Sequence, residues 1–237
     1  MNATVGAGTL GALLADRHSC RAFRPDPVPT AVLDDIVAQA TRAPSWCNTQ
    51  PWQVAILSGA PLEAFRAELL AAERSRPDEA EFEAGPPRYV GASLQRRREA
   101  GWALYSAVGA RRGDRAATST QALENFRFFG APHVAVLSAD AHLGAYGLVD
   151  CGSFVSLLLL AAQARGVATI AQAAIVSRPD IVRRHVPLGS DRTLVCGISL
   201  GFAVRGHPAN AFRTDRAPLE DVRVHIGAPT PTVEDHP

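Results

Sequence analysis

The chain has 237 residues, of which 47% are hydrophobic and 20% charged, and its formal net charge is +1. That length supports one sizeable core, and the mix is ordinary for a globular chain. The balanced charge excludes a global field directed at nucleic acid or an anionic membrane, so any affinity for anions must sit in local clusters.

In chain order, residues 8–16 predict a short helix with Leu10, Leu13 and Leu14 on one face. The start of the chain lacks a basic stretch followed by a long apolar core, so no signal peptide is expected. "RPDPVP" (24–29) reads as a proline-punctuated loop. A helix follows from Thr30, with Val32, Leu33, Ile36, Val37 and Ala40 as its apolar stripe, and it should stop before Pro44. "WQVAILSG" (52–59) predicts a strand closed by Ser-Gly, and residues 61–75 a second amphipathic helix. Residues 76–88, polar and proline-rich, read as an exposed excursion. Helices are expected over 90–110 and 115–127. "HVAVLSA" (133–139) is the second strand, and 148–165 an apolar helix expected to be central and buried, ended by Gly166. Its most apolar run, 154–164, falls short of the ~20 residues a bilayer span needs. An extended piece over 167–171, a helix over 178–186 and a strand over 193–203 complete the core. The polar tail, 204–237, carries prolines at 208, 218, 229, 231 and 237 and too little apolar material for a core of its own. Strands separated by helical stretches predict a single α+β domain spanning 1–237, with helices covering the sheet.

Several chemistries find no support in spacing. The histidines form neither HxxxH nor HExxH, and none stands at ligand distance from a cysteine, so no metal is expected. Cys20, Cys47, Cys151 and Cys196 lack any CxxC pair and read as reduced thiols of a cytoplasmic protein. GxSxG, GxxxxGK[ST] and a GxGxxG between strand and helix are all absent.

Two stretches remain. In "RHSCRAF" (17–23), Arg17, Ser19 and Arg21 alternate, and an extended backbone puts all three on one side. Two guanidiniums and a hydroxyl suit a phosphate; taken alone, the same seven residues also fit a solvated basic turn. "APSWCNTQPW" (43–52) is a loop anchored between helix and strand, where Asn48 and Gln50 offer amide edges and Trp46 and Trp52 fit packing roles.

Together, "RHSCRAFRPDPVP", a helix and then "APSWCNTQPWQV" resemble the nitroreductase family of flavin mononucleotide (FMN) enzymes, whose pattern is R-x-S-x-R-x-F, P-x-P, a helix, and A-P-S-x-x-N-x-Q-P-W. Further along, "NFRFFGAPHVAVL", "LLLLAAQARGVATIAQAAI", "CGISLGFA" and "NAFRTDRAPLEDV" continue the likeness. The resemblance implies a three-layer α/β sandwich with a central, mostly antiparallel sheet. It also implies a homodimer with a C-terminal arm exchanged between subunits and two FMN sites at their interface.

Carried over residue by residue, the likeness assigns Arg17, Ser19, Arg216 and Arg213 to the FMN phosphate and Arg21 to the pyrimidine edge of the flavin, with His18 between them. Pro44, Ser45 and Asn48 match a loop supplied by the other subunit. Asn125 matches an amide on the flavin or ribityl chain, and the backbone of Gln172, Ala173 and Ala174 the segment facing flavin N5. The family often has proline and Glu-Gly in that last segment; here it reads "TIAQAAI", which leaves the backbone donors and changes the pocket. Trp102, Tyr105, Phe126, Phe128 and Phe129 are candidates to line the substrate pocket. The implied reaction passes a hydride from NADPH or NADH to flavin N5 and on to a nitroaromatic, a quinone or a similar conjugated acceptor, with no obligatory catalytic side chain. The same motifs also fit other flavin chemistry (reductive dehalogenation, enoate or dehydropeptide oxidation, flavin breakdown) or a non-enzymatic flavin-binding dimer.

Overall fold

The computed structural model describes residues 7–75, 81–83 and 88–227. Residues 76–80 and 84–87 of the expected excursion, and the tail prolines 229, 231 and 237, lie outside the described residues.

The sheet has four strands: β1 (Trp52–Ser58), β2 (His133–Asp140), β3 (Ala168–Gln172) and β4 (Arg192–Gly201), in the order β1-β2-β4-β3, every pairing antiparallel. Alternation along β2 splits the core. Val134 and Val136 enter one cluster with Phe65, Leu69, Ile175 and Ile181, which come from α3 (Gly59–Ser75), α7 (Pro179–His185) and the turn before α7. Ala135, Leu137 and Ala139 enter the other, with Leu33 and Ile36 of α2 (Thr30–Ala40) and Phe154 and Leu158 of α6 (Gly144–Gln163). Helices therefore cover both faces of the sheet, and the expected three-layer α+β sandwich is the observed one.

Local sequence explains the helices. In α3, Leu62, Phe65, Leu69 and Ala72 recur at helical spacing and are all buried. In α7, Pro179 and Asp180 occupy the first turn and Arg183, Arg184 and His185 the last, as the helix dipole favours. Also present are α1 (Ala7–Asp16), α4 (Gly91–Ala107), α5 (Arg115–Leu123) and, in the tail, the short α8 (Pro208–Ala211) and α9 (Leu219–Val222).

Two expectations change. The helix expected over 115–127 ends at Leu123. The chain then turns through 124–127 into a 3₁₀ segment, Phe128–Gly130, with Phe128 and Phe129 at positive φ (57° and 53°). The apolar helix begins four residues early, and only one face is covered. Gly147, Asp150, Cys151, Phe154, Leu158, Ala161 and Ala162 are buried, while Tyr146 and Val149 are 58% and 66% exposed. With its preceding turn, residues Ala141–Gln163 are long and apolar enough to cross a membrane, at a mean hydropathy of 1.7. The sheet-facing row identifies α6 as a core helix with a bare outer face.

Candidate functional site

Residues 17–24 thread between two parts of the sheet. Ser19 bridges Thr169 of β3 in parallel, and Cys20 N–H donates to Thr169 O at 2.9 Å. Phe23 bridges Ala203 just past β4, and Val204 N–H donates to Ala22 O. Cys20 and Phe23 of this segment both enter the core. The thiol of Cys20, which donates to Ala22 O at 3.3 Å, has its pKa raised by burial, as a packing residue rather than a nucleophile.

The opposite side opens into a cleft of about 310 Å3, lined by Arg17, His18, Ser19 and Arg21 and by Phe212, Arg213, Thr214 and Arg216 of the arm. The structure thus brings together six of the nominated residues from both ends of the chain. Four guanidiniums meet there, and none has a carboxylate partner among the described residues. Arg21 donates to Ser19 O at 3.2 Å, and its guanidinium carbon lies 5.2 Å from the Phe212 ring centroid. Burial lowers its pKa, the mark of a cation held away from water. His18 Nδ1 donates to Asp16 O at 2.9 Å, which leaves Nε2 as the acceptor.

Asn210, which the sequence did not single out, joins the two ends. Its Oδ1 accepts the Arg21 N–H at 2.6 Å, and its Nδ2 donates to Ala22 O at 3.0 Å and Val204 O at 3.2 Å. One amide therefore ties the 17–23 segment to the arm that carries Arg213 and Arg216. "HPANAF" gives no local sign of a partner 189 residues away.

At the end of β3, Gln172 is buried and fully engaged. Its Oε1 accepts from Ser199 Oγ at 2.6 Å, and its Nε2 donates to Asn125 O and Oδ1 at 3.1 and 3.3 Å. Asn125 Nδ2 donates to Ala122 O. Both amides hold each other in place, and neither lines the arginine cleft. Ala173 is exposed and Ala174 half-buried in the 3₁₀ turn Ala173–Val176. Gly197 lets that turn close on the sheet, since a Cβ there would stand 2.5 Å from Ile175 Cβ.

The 44–50 loop stands apart from the arginine cleft within this chain. Pro44 and Asn48 are exposed and Ser45 half-buried. Cys47, Asn48 and Gln50 all adopt positive φ, at 49°, 58° and 49°. Non-glycine residues resist this region, so the surroundings must impose it, and such strain gathers at functional sites. Trp46 N–H donates to Asp150 Oδ2 of α6 at 3.0 Å, Gln50 N–H to Ser45 Oγ at 3.0 Å, and the Trp46 ring packs at a tilt of 38° against Tyr146 with centroids 4.8 Å apart. Asp150, another residue the sequence did not mark, is the buried anchor of this loop.

The aromatic candidates separate. Phe128 is fully buried against Phe65 and under Arg66, and Phe126 and Phe129 are 8% and 5% exposed. These three belong to the core and are corrected out of the pocket lining. Trp102 and Tyr105 are half-buried on α4, edge to face at 5.8 Å. No cluster of His, Cys, Asp and Glu able to hold a metal occurs among the described residues. All four cysteines are free, with burial raising Cys151 to about 11 and Cys196 to about 12.

The profile of the family described as "Nitroreductase family" matches residues 14–202. The chain is 34% identical over 209 residues to nitroreductase NfnB of Mycolicibacterium smegmatis, across 88% of this chain and 89% of that protein. It is 31% identical over 205 residues to a 4-nitrobenzoate reductase of Pseudomonas putida, across 86% and 90%. The crystal structure of the FMN-dependent nitroreductase NfnB from Mycobacterium smegmatis in complex with NADPH matches with a TM-score of 0.87 at 32% identity, covering 93% of this chain and 99% of that one. The fold, the motif-bearing segments and these likenesses agree: the chain belongs to the nitroreductase family.

Proposed function

We propose that this protein is an FMN-dependent oxidoreductase that uses NADPH to reduce nitroaromatic compounds, acting as a cytoplasmic homodimer. One observation carries the reading: four arginines converge on one cleft without a carboxylate among them. Cations gathered without counter-ions suit a phosphate, which accepts bidentate charge-assisted hydrogen bonds from several guanidiniums at once. The cleft volume lies in the range of small-molecule sites. When bound, FMN supplies the redox chemistry, accepting a hydride from NADPH and delivering electrons to the acceptor.

The chain's own residues bind, orient and tune. Arg17, Ser19, Arg213 and Arg216 hold the phosphate. Arg21, braced by Ser19 O and Phe212, holds a positive charge near the pyrimidine edge, where it favours the negative charge that reduction brings. The backbone of 172–174 would face the reactive edge of the flavin, with Gln172 fixed from behind by its bonds to Asn125 and Ser199. Asn125 acts through that network as a positioning residue. Pro44, Ser45 and Asn48 serve the second subunit's site. The bare outer face of α6 supports a dimer, as do Leu219, Val222, Val224 and Ile226, which are 58–92% exposed along the tail. The names of two relatives, 4-nitrobenzoate reductase and nitrobenzene nitroreductase, favour a nitroaromatic over a quinone as acceptor.

Titration of the FMN-free protein with FMN tests the assignment. Arg17→Ala should weaken binding by roughly 1.5–3 kcal/mol, the value of a charge-assisted contact. An unchanged affinity would remove the phosphate from this cleft.

A further inference from the structure

The arginine cleft is the first of a connected series. It shares Arg213, Thr214 and Arg216 with a larger cleft of about 400 Å3 between the arm and α4. That cleft shares Gln95 and Glu99 with a third on α4, which shares Trp102 and Arg112 with a fourth beyond the end of the helix. A row of clefts, each sharing lining residues with the next, therefore runs from the arginine cleft around and along α4 to Arg98, Trp102, Arg111 and Arg112, and is called the trough below.

The far end of the trough is strongly cationic. Residues 91–115 hold six arginines (96, 97, 98, 111, 112 and 115) against Glu99 and Asp114, in a chain whose net charge is +1. Arg96 is paired with Asp221 at 3.6 Å, and Arg97 stacks on Tyr89 at 5.1 Å. Arg98, Arg111 and Arg112 have no carboxylate partner among the described residues. The Arg112 guanidinium lies 5.1 Å from the Trp102 ring centroid, so a flat aromatic platform stands beside the charge. None of the 17 residues of α4 is buried, which leaves this face open.

A platform of indole and guanidinium suits a purine, and neighbouring free arginines suit a phosphomonoester. We propose that this end of the trough binds the adenosine 2′-phosphate of NADPH, with Arg98 and Arg111 on the phosphate and Trp102 and Arg112 against the adenine. The chain then prefers NADPH to NADH, which lacks that phosphate. The inference rests on the reading of a nicotinamide hydride donor.

Calorimetry on the FMN-loaded full-length protein tests it without turnover. Adenosine 2′,5′-bisphosphate should bind at least about 10-fold more tightly than adenosine 5′-monophosphate or the 3′,5′-bisphosphate, and the Arg98→Gln/Arg111→Gln double variant should erase the difference. Equal affinities in the wild type, or a preference that survives both substitutions, overturns the inference. Both side chains are exposed, and the flavin absorbance reports that each variant retains its fold. In turnover, Arg111→Gln should lower the NADPH to NADH ratio of kcat/KM about 10-fold, whereas a ratio at the wild-type value counts against the site. A protein that oxidises neither nicotinamide yet discriminates the 2′-phosphate in calorimetry supports this site and removes only the hydride-donor reading.

Discussion

Asn210 holds Arg21 by its backbone: the side-chain Oδ1 accepts the Arg21 N–H at 2.6 Å while Nδ2 reaches Ala22 O and Val204 O. Two of the amide's three hydrogen bonds set the arm against the 17–23 segment, and the third ties it to Val204 at the start of the arm. Asn210→Ala leaves the part-buried Arg21 N–H without its acceptor and takes one donor each from Ala22 O and Val204 O, which keep the N–H groups of Val204 and His207. At about 1 kcal/mol for each net hydrogen bond, it should lower stability by about 2–3 kcal/mol. It should also loosen FMN, because Arg213 and Arg216 lose their register with Arg17. Urea unfolding and FMN titration of the variant measure both; a wild-type midpoint with wild-type affinity speaks against the clamp.

Gly197 is the seat of the 173–176 turn. An alanine Cβ would meet Ile175 at 2.5 Å inside the core. Overpacking of this kind costs about 1–3 kcal/mol and is relieved by moving the smaller element, here the turn that carries Ala173 and Ala174. Gly197→Ala should lower the Tm and weaken FMN together. A stable variant with intact FMN binding would mean that the turn has room the structure does not indicate.

His133 makes stability depend on pH. Its Nε2 accepts the Val28 N–H at 2.9 Å, so the neutral ring carries its proton on Nδ1, which donates to Ser58 Oγ at 2.5 Å. Burial lowers the pKa of this imidazole below its ordinary 6.5. Between the lowered value and 6.5 the unfolded chain binds the extra proton, so stability rises with pH in that window. The contribution is complete above about pH 6.5 and is lost as pH falls toward the folded value. Thermal melts at pH 7.5 and 5.5 should show a fall in Tm that His133→Gln reduces. An identical fall in the variant would assign the pH dependence to other groups.

Much of the fold was legible because its signals are local. The strands at 52–58, 133–140 and 192–201 are runs of apolar and β-branched residues closed by turn residues, and α2 and α3 carry their buried stripes in plain periodicity. The alternation of Arg17, Ser19 and Arg21 could be read for the same reason, since an extended backbone fixes which side each occupies. What could not be read depends on distant neighbours. Phe128 looks like any aromatic near a pocket until Phe65 and Arg66 close over it. Cys47 gives no sign of left-handed backbone, and nothing local shows that Asp150 of α6 accepts the Trp46 N–H beside it. The composition of α6 says buried, yet its sheet-facing row covers only half the circumference.

The arm is the next test. A chain ending before Ala211 loses Phe212, Arg213 and Arg216 from the cleft. It should lose FMN, and it should lose dimer, because the exposed apolar residues of 219–226 go with it. Light scattering with flavin absorbance reads both at once. A truncated monomer that keeps its FMN contradicts the shared-site account.

The most direct measurement is anaerobic mixing of the purified protein with NADPH, followed at the flavin absorbance band. The account predicts a yellow protein with FMN bound, bleaching on addition of NADPH and regaining its colour when 4-nitrobenzoate is added. A yellow protein that NADPH leaves unbleached, or one that binds no flavin after incubation with FMN, would contradict it.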